Sequence, residues 1–166
     1  MNAMEIRRRL LDSSLSWASE PLYIYQSGDK SFKNCTHRSE TYEGLLGTTY
    51  DACSISFDDS YFKVSPSSHQ NATNTIYYFY LDVTRYKKIV VKAVASNTEV
   101  SDARIGVFET DGLKNSSFND ENSVEIKQGF FPKEYEFDVE DFKGTRVLAI
   151  RERNFSAGTY YEIRME

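Results

Sequence analysis

Beyond about residue 17 most of the chain alternates apolar and polar residues with a period of two, the pattern of a half-buried β-strand. In YEFDV the residues Tyr135, Phe137 and Val139 alternate with acids, and in RVLAIRER Leu148 and Ile150 alternate with charged and small residues. The same pattern predicts strands near residues 22–26, 53–57, 61–65, 75–83, 87–95, 104–109, 124–128 and 160–165. About ten short strands without intervening helices predict an all-β fold, an antiparallel jelly-roll-like β-sandwich.

The N-terminal residues follow a different pattern. The segment MEIRRRLLDS places Ile6 and Leu10 on one face of a short α-helix. A helix of two to three turns is marginal alone, so it must dock on the rest of the domain, another subunit or a larger assembly. We therefore expect an N-terminal helix and linker at 1–16, used for docking or oligomerisation, and a β-sandwich domain at 17–166.

One phrase occurs twice, as YLDVTRYKK at 80–88 and EFDVEDFKG at 136–144. In each copy Asp82 or Asp138 falls out of phase with the buried positions, so its carboxylate can accept hydrogen bonds from backbone amides just beyond it. A valine and an aromatic residue three positions later would bracket the resulting turn. We interpret the phrase as one sandwich corner used twice; the alternative is a metal-binding role for the two aspartates.

Composition narrows the class of protein. The 12 Tyr and 11 Phe supply much of the apolar content and suit pleated sheets and ligand-binding faces. A net charge of -5 argues against general nucleic-acid binding. The chain shows neither the apolar region of a secretory signal nor a run long enough to span a bilayer, so we expect synthesis in the cytoplasm without membrane insertion.

Candidate catalytic and metal-binding chemistry is sparse. Cys35 and Cys53 lack metal-ligand spacing, and they are compatible with free thiols, which we favour without an export signal, or with one disulfide. Neither histidine lies in a metal-binding motif, and no phosphate-binding loop or nucleophile motif occurs. The loop 109–122 has enough oxygen ligands for a structural calcium ion but lacks EF-hand spacing, so we interpret it as a solvated loop. We predict no enzyme, no cofactor and no metal site.

Outward-facing rings and arginines are the more informative feature. In TIYYFYLDV the phase that places Tyr77 and Phe79 in the core leaves Tyr78 and Tyr80 outward. Tyrosine rings stack on the apolar faces of sugars, and arginine forks bind hydroxyls or carboxylates; on a sheet surface both also serve simply as stabilising cross-strand pairs. The predicted ligand-binding residues are Tyr23, Tyr25, Tyr78, Tyr80, Arg104, Arg151, Arg153 and Tyr160.

Two stretches resemble known families. MEIRRRLL, leading into an all-β domain, is similar to the starts of prophage tail and tail-fibre proteins of Gram-positive gut bacteria. YFYLDVTRYKKIVVKAVAS and FDVEDFKGTRVLAI resemble galactose-binding-like and carbohydrate-binding-module sandwiches, in which a large apolar residue, Asp and Val often precede a turn. The resemblance implies the fold and a binding role, with no ligand motif to transfer. The Trp-rich face of many sugar-binding modules is absent, since Trp17 is the only Trp.

These observations favour a non-catalytic carbohydrate-binding module of a phage or prophage tail, a virion component that contacts a bacterial surface polysaccharide. The alternative is a structural or assembly protein of a tail or surface complex, without a glycan ligand. Under either hypothesis we expect contacts with other tail or assembly proteins, and homo-oligomerisation through the N-terminal helix would be compatible with both.

Overall fold

The computed structural model describes residues 16–41, 54–65, 74–95, 103–153 and 158–166. Within these ranges the chain forms eleven β-strands and a single 3₁₀ turn, Asn115–Ser117. The strands are β1 Leu22–Gln26, β2 Thr36–Thr41, β3 Ser54–Phe57, β4 Phe62–Ser65, β5 Asn74–Asp82, β6 Lys88–Ala95, β7 Arg104–Phe108, β8 Ser123–Glu125, β9 Lys133–Asp138, β10 Thr145–Arg153 and β11 Gly158–Met165. The predicted N-terminal helix lies outside the described residues, and the domain division stays a prediction.

The strands form two antiparallel sheets packed face to face. The first sheet has the order β3-β4-β11-β6-β9, with β1 also paired to β11, and the second has the order β2-β5-β10-β7-β8. The pairs β7–β8, β6–β9, β5–β10 and β4–β11 nest inside one another, as in one long hairpin rolled so that its pairs fall alternately in the two sheets. This is the connectivity of a jelly roll, and it confirms the predicted fold class.

The main hydrophobic core lies between the two sheets, and the strand phases predicted much of it. In β5, β6 and β10 every second residue points into this core, as the alternation of apolar and polar residues indicated. The core residues from these three strands are Tyr77, Phe79, Leu81, Ile89, Val91, Ala93, Ala95, Leu148 and Ile150.

The two copies of the repeated phrase are crossings between the sheets. After β5 the chain passes from the second sheet to the first, and after β9 it passes back. The Asp82 carboxylate accepts hydrogen bonds from the amide (3.1 Å) and hydroxyl (2.6 Å) of Thr84. The Asp138 carboxylate accepts one from the Glu140 amide (3.0 Å). The predicted aspartate-closed corner is therefore confirmed in both copies.

The two corners also bond to each other. The Val83 amide donates to the Gly144 carbonyl (3.0 Å), and the Gly144 amide donates to the Thr84 hydroxyl (2.8 Å). The Val139 amide of the second corner donates to the carbonyl of Lys87 in the first (2.8 Å). The repeated phrase thus forms one closed end of the sandwich.

Trp17 lies against this end, between equivalent lysines of the two copies. The Nζ atoms of Lys87 and Lys143 lie 5.4 and 4.9 Å from the centre of its ring. The neighbouring Ala18 amide donates to the Arg85 carbonyl (2.8 Å). The start of the described chain is therefore attached to both corners.

No helix in the described ranges is long and apolar enough to span a membrane.

The structure corrects the predicted outward position of Tyr25. In β1, Tyr23 is opposite Arg164 and Tyr25 is opposite Ile163, so Ile24 is an extra residue and forms a β-bulge. Because the bulge changes the phase, Ile24 and Tyr25 are both fully buried in the main core.

A second bulge reverses the predicted outward position of Tyr160. Tyr160 and Glu162 pair with consecutive residues of β6, so Tyr161 is the extra residue and Tyr160, predicted outward, points into the core. Its ring stacks on Phe62 at 4.9 Å, and its hydroxyl donates to Oε1 of the buried Glu152 (2.7 Å). Burial and the nearby Glu152 carboxylate raise the pKa of Tyr160 well above its ordinary value.

Candidate functional site

The remaining predicted ligand-binding residues are divided between the two sheets. Tyr23 lies on the first sheet, opposite Arg164. The outer face of the second sheet, which points away from the main core, carries Tyr78, Tyr80, Arg104 and Arg151. Arg153 ends β10, and its side chain lies outside the described part of the chain. Only the second sheet therefore brings several predicted residues together.

Residues 109–122, which we call the covering loop, cross this outer face between β7 and β8. Leu113 and Phe118 of the loop pack on a second, smaller apolar cluster that consists of Ile76, Tyr78, Val147 and Ala149. The loop approaches so closely that a Cβ atom at Gly106 would lie 2.6 Å from the Asn122 carbonyl oxygen. The loop is therefore anchored on the sheet by the Leu113 and Phe118 side chains, while most of its other residues are exposed to solvent, as the interpretation of a solvated loop predicted.

Polar residues of the covering loop and of β8 accept hydrogen bonds from two of the arginines that were predicted to bind a ligand. Arg104 donates to Asp120 Oδ1 (2.7 Å) and to Ser123 Oγ (2.9 Å). Arg151, which is only 4% exposed, donates to Asn115 Oδ1 (2.5 Å). These two arginines hold the covering loop in place, so they are poorly placed to meet a ligand.

The oxygen atoms of the covering loop accept hydrogen bonds from the protein. Asn119 Oδ1 accepts from the Glu121 amide (2.9 Å), and Asn122 Oδ1 accepts from the Asn119 amide (3.1 Å). Across the described residues no three His, Cys, Asp or Glu side chains are grouped to hold a metal ion.

At the edge of the outer face beside β2, Asp111 of the covering loop joins residues of β2 and β5 in a compact polar group that we call the outer cluster. Arg38 donates to the Tyr80 hydroxyl (2.7 Å) and to Asp111 Oδ2 (2.7 Å), and the Tyr80 hydroxyl donates to the same Asp111 oxygen (2.5 Å). Arg38 also forms an ion pair with Glu40, which accepts from the Tyr78 hydroxyl (2.9 Å). The outer cluster is therefore Arg38, Glu40, Tyr78, Tyr80 and Asp111.

The outer cluster places one guanidinium against two carboxyl groups. Hydrogen bonds from Tyr80 and Arg38 lower the pKa of Asp111. The same contacts with Asp111, Tyr80 and Glu40 raise the pKa of Arg38. Partial burial and the bond to Asp111 raise the pKa of Tyr80. These shifts keep Asp111 ionised and Tyr80 neutral beside the Arg38 guanidinium at neutral pH.

The outer cluster remains accessible from solvent although Tyr78 does not. The Arg38 and Asp111 side chains are 42% and 39% exposed, whereas Tyr78 is fully buried beneath the Arg38 guanidinium, whose Cζ lies 5.0 Å from the ring centre. The site offers N–H donors and carboxylate acceptors in a fixed geometry next to the half-buried ring of Tyr80. Such a set can bind a ligand rich in hydroxyl groups.

Sequence reasoning missed Arg38, Glu40 and Asp111. The strand THRSET contains no apolar residue, so the hydrophobic pattern did not mark β2 as a strand. Its pairing with β5 places Arg38 opposite Tyr78 and Glu40 opposite Ile76. The available signal was the alternation of Thr, Arg and Glu, which puts all three on one face once the segment is taken as a strand.

Cys35 and His37 lie close together in sequence, and both pack within the protein. The His37 Nδ1 atom lies 2.6 Å from the Tyr77 hydroxyl, and its ring stacks on that of Tyr77. Cys35 is a half-buried free thiol, and burial raises its pKa to about 11. A thiol with so high a pKa is a weak nucleophile at neutral pH.

A groove of about 420 Å³ lies elsewhere, between the covering loop and β9. Its lining includes Asp120, Glu121, Glu136, Asp138, Phe137 and Phe142. Two of its carboxylates already form ion pairs, Asp120 with Arg104 and Glu136 with Lys88. The groove is separate from the outer cluster.

The fold is similar to that of solved carbohydrate-binding modules. A family 29 carbohydrate-binding module complexed with mannohexaose superposes with a TM-score of 0.56 at 10% identity, covering 88% of this chain and 90% of that one. A family 29 module complexed with cellulohexaose gives 0.52 at 10% identity, covering 88% and 89%. The family 29 module from Piromyces equi gives 0.52 at 13% identity, covering 89% and 91%.

At these identities the likeness concerns the fold: the chain has the all-β, two-sheet sandwich of the class that includes these modules. No family model matches the sequence. A comparison with curated proteins finds no match either.

Proposed function

We propose that the protein is a non-catalytic carbohydrate-binding module whose outer cluster binds a glycan. The observation that carries the proposal is the accessible set of Arg38, Asp111 and Tyr80, preorganised on the outer face of the second sheet. The fold shared with modules complexed with hexasaccharides supports it. In this proposal the carboxylates accept hydrogen bonds from sugar hydroxyls, Arg38 donates to them, and Tyr80 contacts the ring.

The charges favour a neutral glycan over an anionic one. Arg38 is flanked by Glu40 and Asp111, so its positive charge is already compensated. Arg104 and Arg151 are bound by the covering loop, and the chain carries a net charge of -5. An anionic polymer would meet an uncompensated carboxylate, whereas hydroxyl groups bond to carboxylate and guanidinium alike.

Titration calorimetry with mannohexaose and cellulohexaose, together with pull-down on insoluble mannan and cellulose, tests the proposal. Arg38→Ala/Asp111→Ala should weaken binding at least about ten-fold, the loss expected when a central contact is removed. The matched control is Lys30→Ala/Asp59→Ala, which removes another exposed cation–carboxylate pair (3.1 Å) and should leave binding unchanged. Absence of binding by the wild type to these four probes, with hexaoses above about 1 mM, and to purified bacterial wall polysaccharide would overturn the proposal.

The finer part of the proposal is that the glycan belongs to a bacterial surface and the module to a phage or prophage tail. Its support is the N-terminal resemblance to tail proteins in MEIRRRLL. Pull-down with purified wall polysaccharide and intact Gram-positive gut bacteria tests this part. Binding to the hexaoses with no binding to cells or wall polysaccharide would contradict the tail context and leave the carbohydrate-binding function intact.

A further inference from the structure

Phe130 and Phe131, which we call the Phe pair, are the most exposed large apolar side chains in the described part of the chain. They are 83% and 82% exposed, whereas the next most exposed, including Trp17 and Val124, reach 39%. The pair lies in the connection between β8 and β9. Two consecutive large apolar side chains left in water are a candidate contact surface for a ligand or partner.

The backbone on both sides of the Phe pair is held by the sandwich, since Lys133, two residues beyond the pair, is paired with Ala93 of β6. The Ala95 amide donates to the Lys127 carbonyl (3.1 Å), and the Lys127 amide donates to the Tyr135 hydroxyl (2.8 Å). Gln128 forms a parallel bridge with Ala95. The rings are therefore presented from an anchored connection, which lowers the entropy lost when a ligand immobilises them.

The groups around the Phe pair are polar and carry both signs of charge. Lys127 pairs with Glu125 (2.8 Å), and Arg164 of the first sheet pairs with Glu134 (3.1 Å). Lys133 follows the pair and is exposed. Lys127 and Arg164 are already paired with carboxylates, so among the described residues here the surface lacks the cluster of unpaired positive charges that binds anionic membranes.

The size of the Phe pair also restricts its partner. Two aromatic side chains offer about 150–250 Å² each, less than the roughly 800 Å² per partner of a standard protein interface. A ligand with a flat apolar face can pack on the two rings while hydroxyl groups at the edge of that face bond to the polar groups around them. The apolar face of a pyranose ring has this shape and chemistry.

The Phe pair lies at the opposite end of the sandwich from Trp17. The corner beside Trp17 precedes Lys88 at the start of β6, and the backbone before the Phe pair bonds to Ala95 at the end of the same strand. Eight residues of β6 separate the two ends by about 25 Å. The attachment of Trp17 and Ala18 at the corners thus lies at the other end of the first sheet from the Phe pair.

We propose that the Phe pair is a second carbohydrate contact, which stacks on pyranose rings of a polysaccharide. The proposal rests on the proposed function and adds a site on the edge of the first sheet, distinct from the outer cluster on the second. Two contacts on one molecule raise the affinity for a polymer above that for a hexaose, because the second contact forms at high effective concentration.

Three double variants separate ring stacking from general apolar contact. Phe130→Ala/Phe131→Ala removes both rings, Phe130→Leu/Phe131→Leu keeps apolar area without a flat face, and Phe130→Tyr/Phe131→Tyr keeps the rings. We expect the Ala and Leu pairs to bind insoluble mannan or cellulose at least about ten-fold more weakly than the wild type, and the Tyr pair to bind equally well. Thermal unfolding should be nearly unchanged in all three, because the rings are exposed.

Amide chemical shifts give a readout that does not depend on affinity. Addition of the hexaose that binds best should shift the amides of Gly129, Phe130 and Phe131 as well as those of Arg38 and Tyr80. Polymer binding by the Ala pair equal to the wild type would overturn the second contact. So would full retention by the Leu pair, which indicates a general apolar surface, or ring-dependent binding of lipid vesicles containing phosphatidylserine.

The outcomes separate the second contact from the proposed function. A wild type that binds none of the carbohydrate probes overturns both. A wild type that binds, an outer-cluster variant that loses binding and an Ala pair that retains it overturn the second contact alone.

Discussion

At the scale of single residues, one aspartate per corner ends a strand and closes a turn. Asp82 accepts two hydrogen bonds from Thr84, and Asp138 accepts one from the Glu140 amide. Thr84 also accepts a bond from the Gly144 amide, so Asp82 orients a hydroxyl that joins the two corners. The two phrases share a residue pattern, but the hydrogen bonds of their aspartates differ in number. The two aspartates should therefore contribute differently to the free energy of unfolding.

Asp82→Ala and Asp138→Ala should each lower the free energy of unfolding by about 0.5–2 kcal/mol, as losses of helix caps do, with Asp82→Ala the larger. Urea unfolding measures both. Asp82→Asn keeps an acceptor oxygen and should cost less than Asp82→Ala. Equal losses at the two positions would contradict the role assigned to Thr84, and glycan binding should be unchanged in all three variants.

The Asp82 contribution should also depend on pH. Hydrogen bonds from the Thr84 hydroxyl and amide lower the pKa of Asp82 in the folded state. A folded pKa below the unfolded value means that the stabilisation is present above the unfolded pKa, about 3.9, and is lost as the pH falls through the folded pKa. The stability difference between wild type and Asp82→Asn should therefore shrink below about pH 4. A difference that is constant from pH 7 to pH 3 would show that the carboxylate charge contributes nothing.

At the scale of elements, the covering loop decides how much of the second sheet a ligand can reach. Its Phe118 is 6% exposed, with its ring 5.1 Å from that of Phe108 and 5.5 Å from the Arg151 guanidinium carbon. The loop therefore has a small core of its own on the outer face. At the edge beside β2, the Arg38 and Asp111 side chains of the outer cluster remain 42% and 39% exposed.

Phe118→Ala should lower the free energy of unfolding by about 3 kcal/mol, because it leaves a cavity between the covering loop and the sheet. Amide hydrogen exchange should accelerate in the loop and at Ser123, while β6 stays protected. Val124→Ala, at a 39% exposed site, is the control and should change stability little. Unchanged exchange in the loop of Phe118→Ala would show that polar contacts alone hold it.

At the scale of the whole molecule, the two corners close one end of the sandwich and attach the chain that precedes β1. Trp17 contacts a lysine from each copy of the repeated phrase, at equivalent positions. The Phe pair marks the other end. The attached Trp17 and the exposed Phe pair thus lie at opposite ends of the sandwich.

Lys87→Met/Lys143→Met should loosen this attachment, because each lysine over an exposed indole contributes about 0.5–1 kcal/mol. Trp17 is the only Trp, so its fluorescence reports the change directly. We expect a red-shifted emission and stronger acrylamide quenching. Lys63→Met, which removes a lysine 5.3 Å from the Tyr61 ring, is the matched control and should leave the emission unchanged. An unshifted emission in the double variant would mean that backbone bonds alone hold Trp17.

Much of the fold followed from local pattern. Alternation assigned the inward residues of β5, β6 and β10, and the chemistry of Asp82 and Asp138 identified the corners. The failures also had local causes. The polar strand β2 was missed because its stability comes from pairing with β5, and Tyr25 and Tyr160 were placed outward because a bulge adds one residue and reverses the phase.

In strands without a bulge the sequence by itself determined which residues face the core, because alternating apolar and polar side chains have one arrangement that buries the apolar ones. Only the tertiary structure decided which outward residues remain accessible. Tyr78 and Arg151 face outward as predicted, yet both are buried, because residues 109–122 fold across them from a different part of the chain. Accessibility on an outer face depends on what other segments pack there, and that information is not local to the strand.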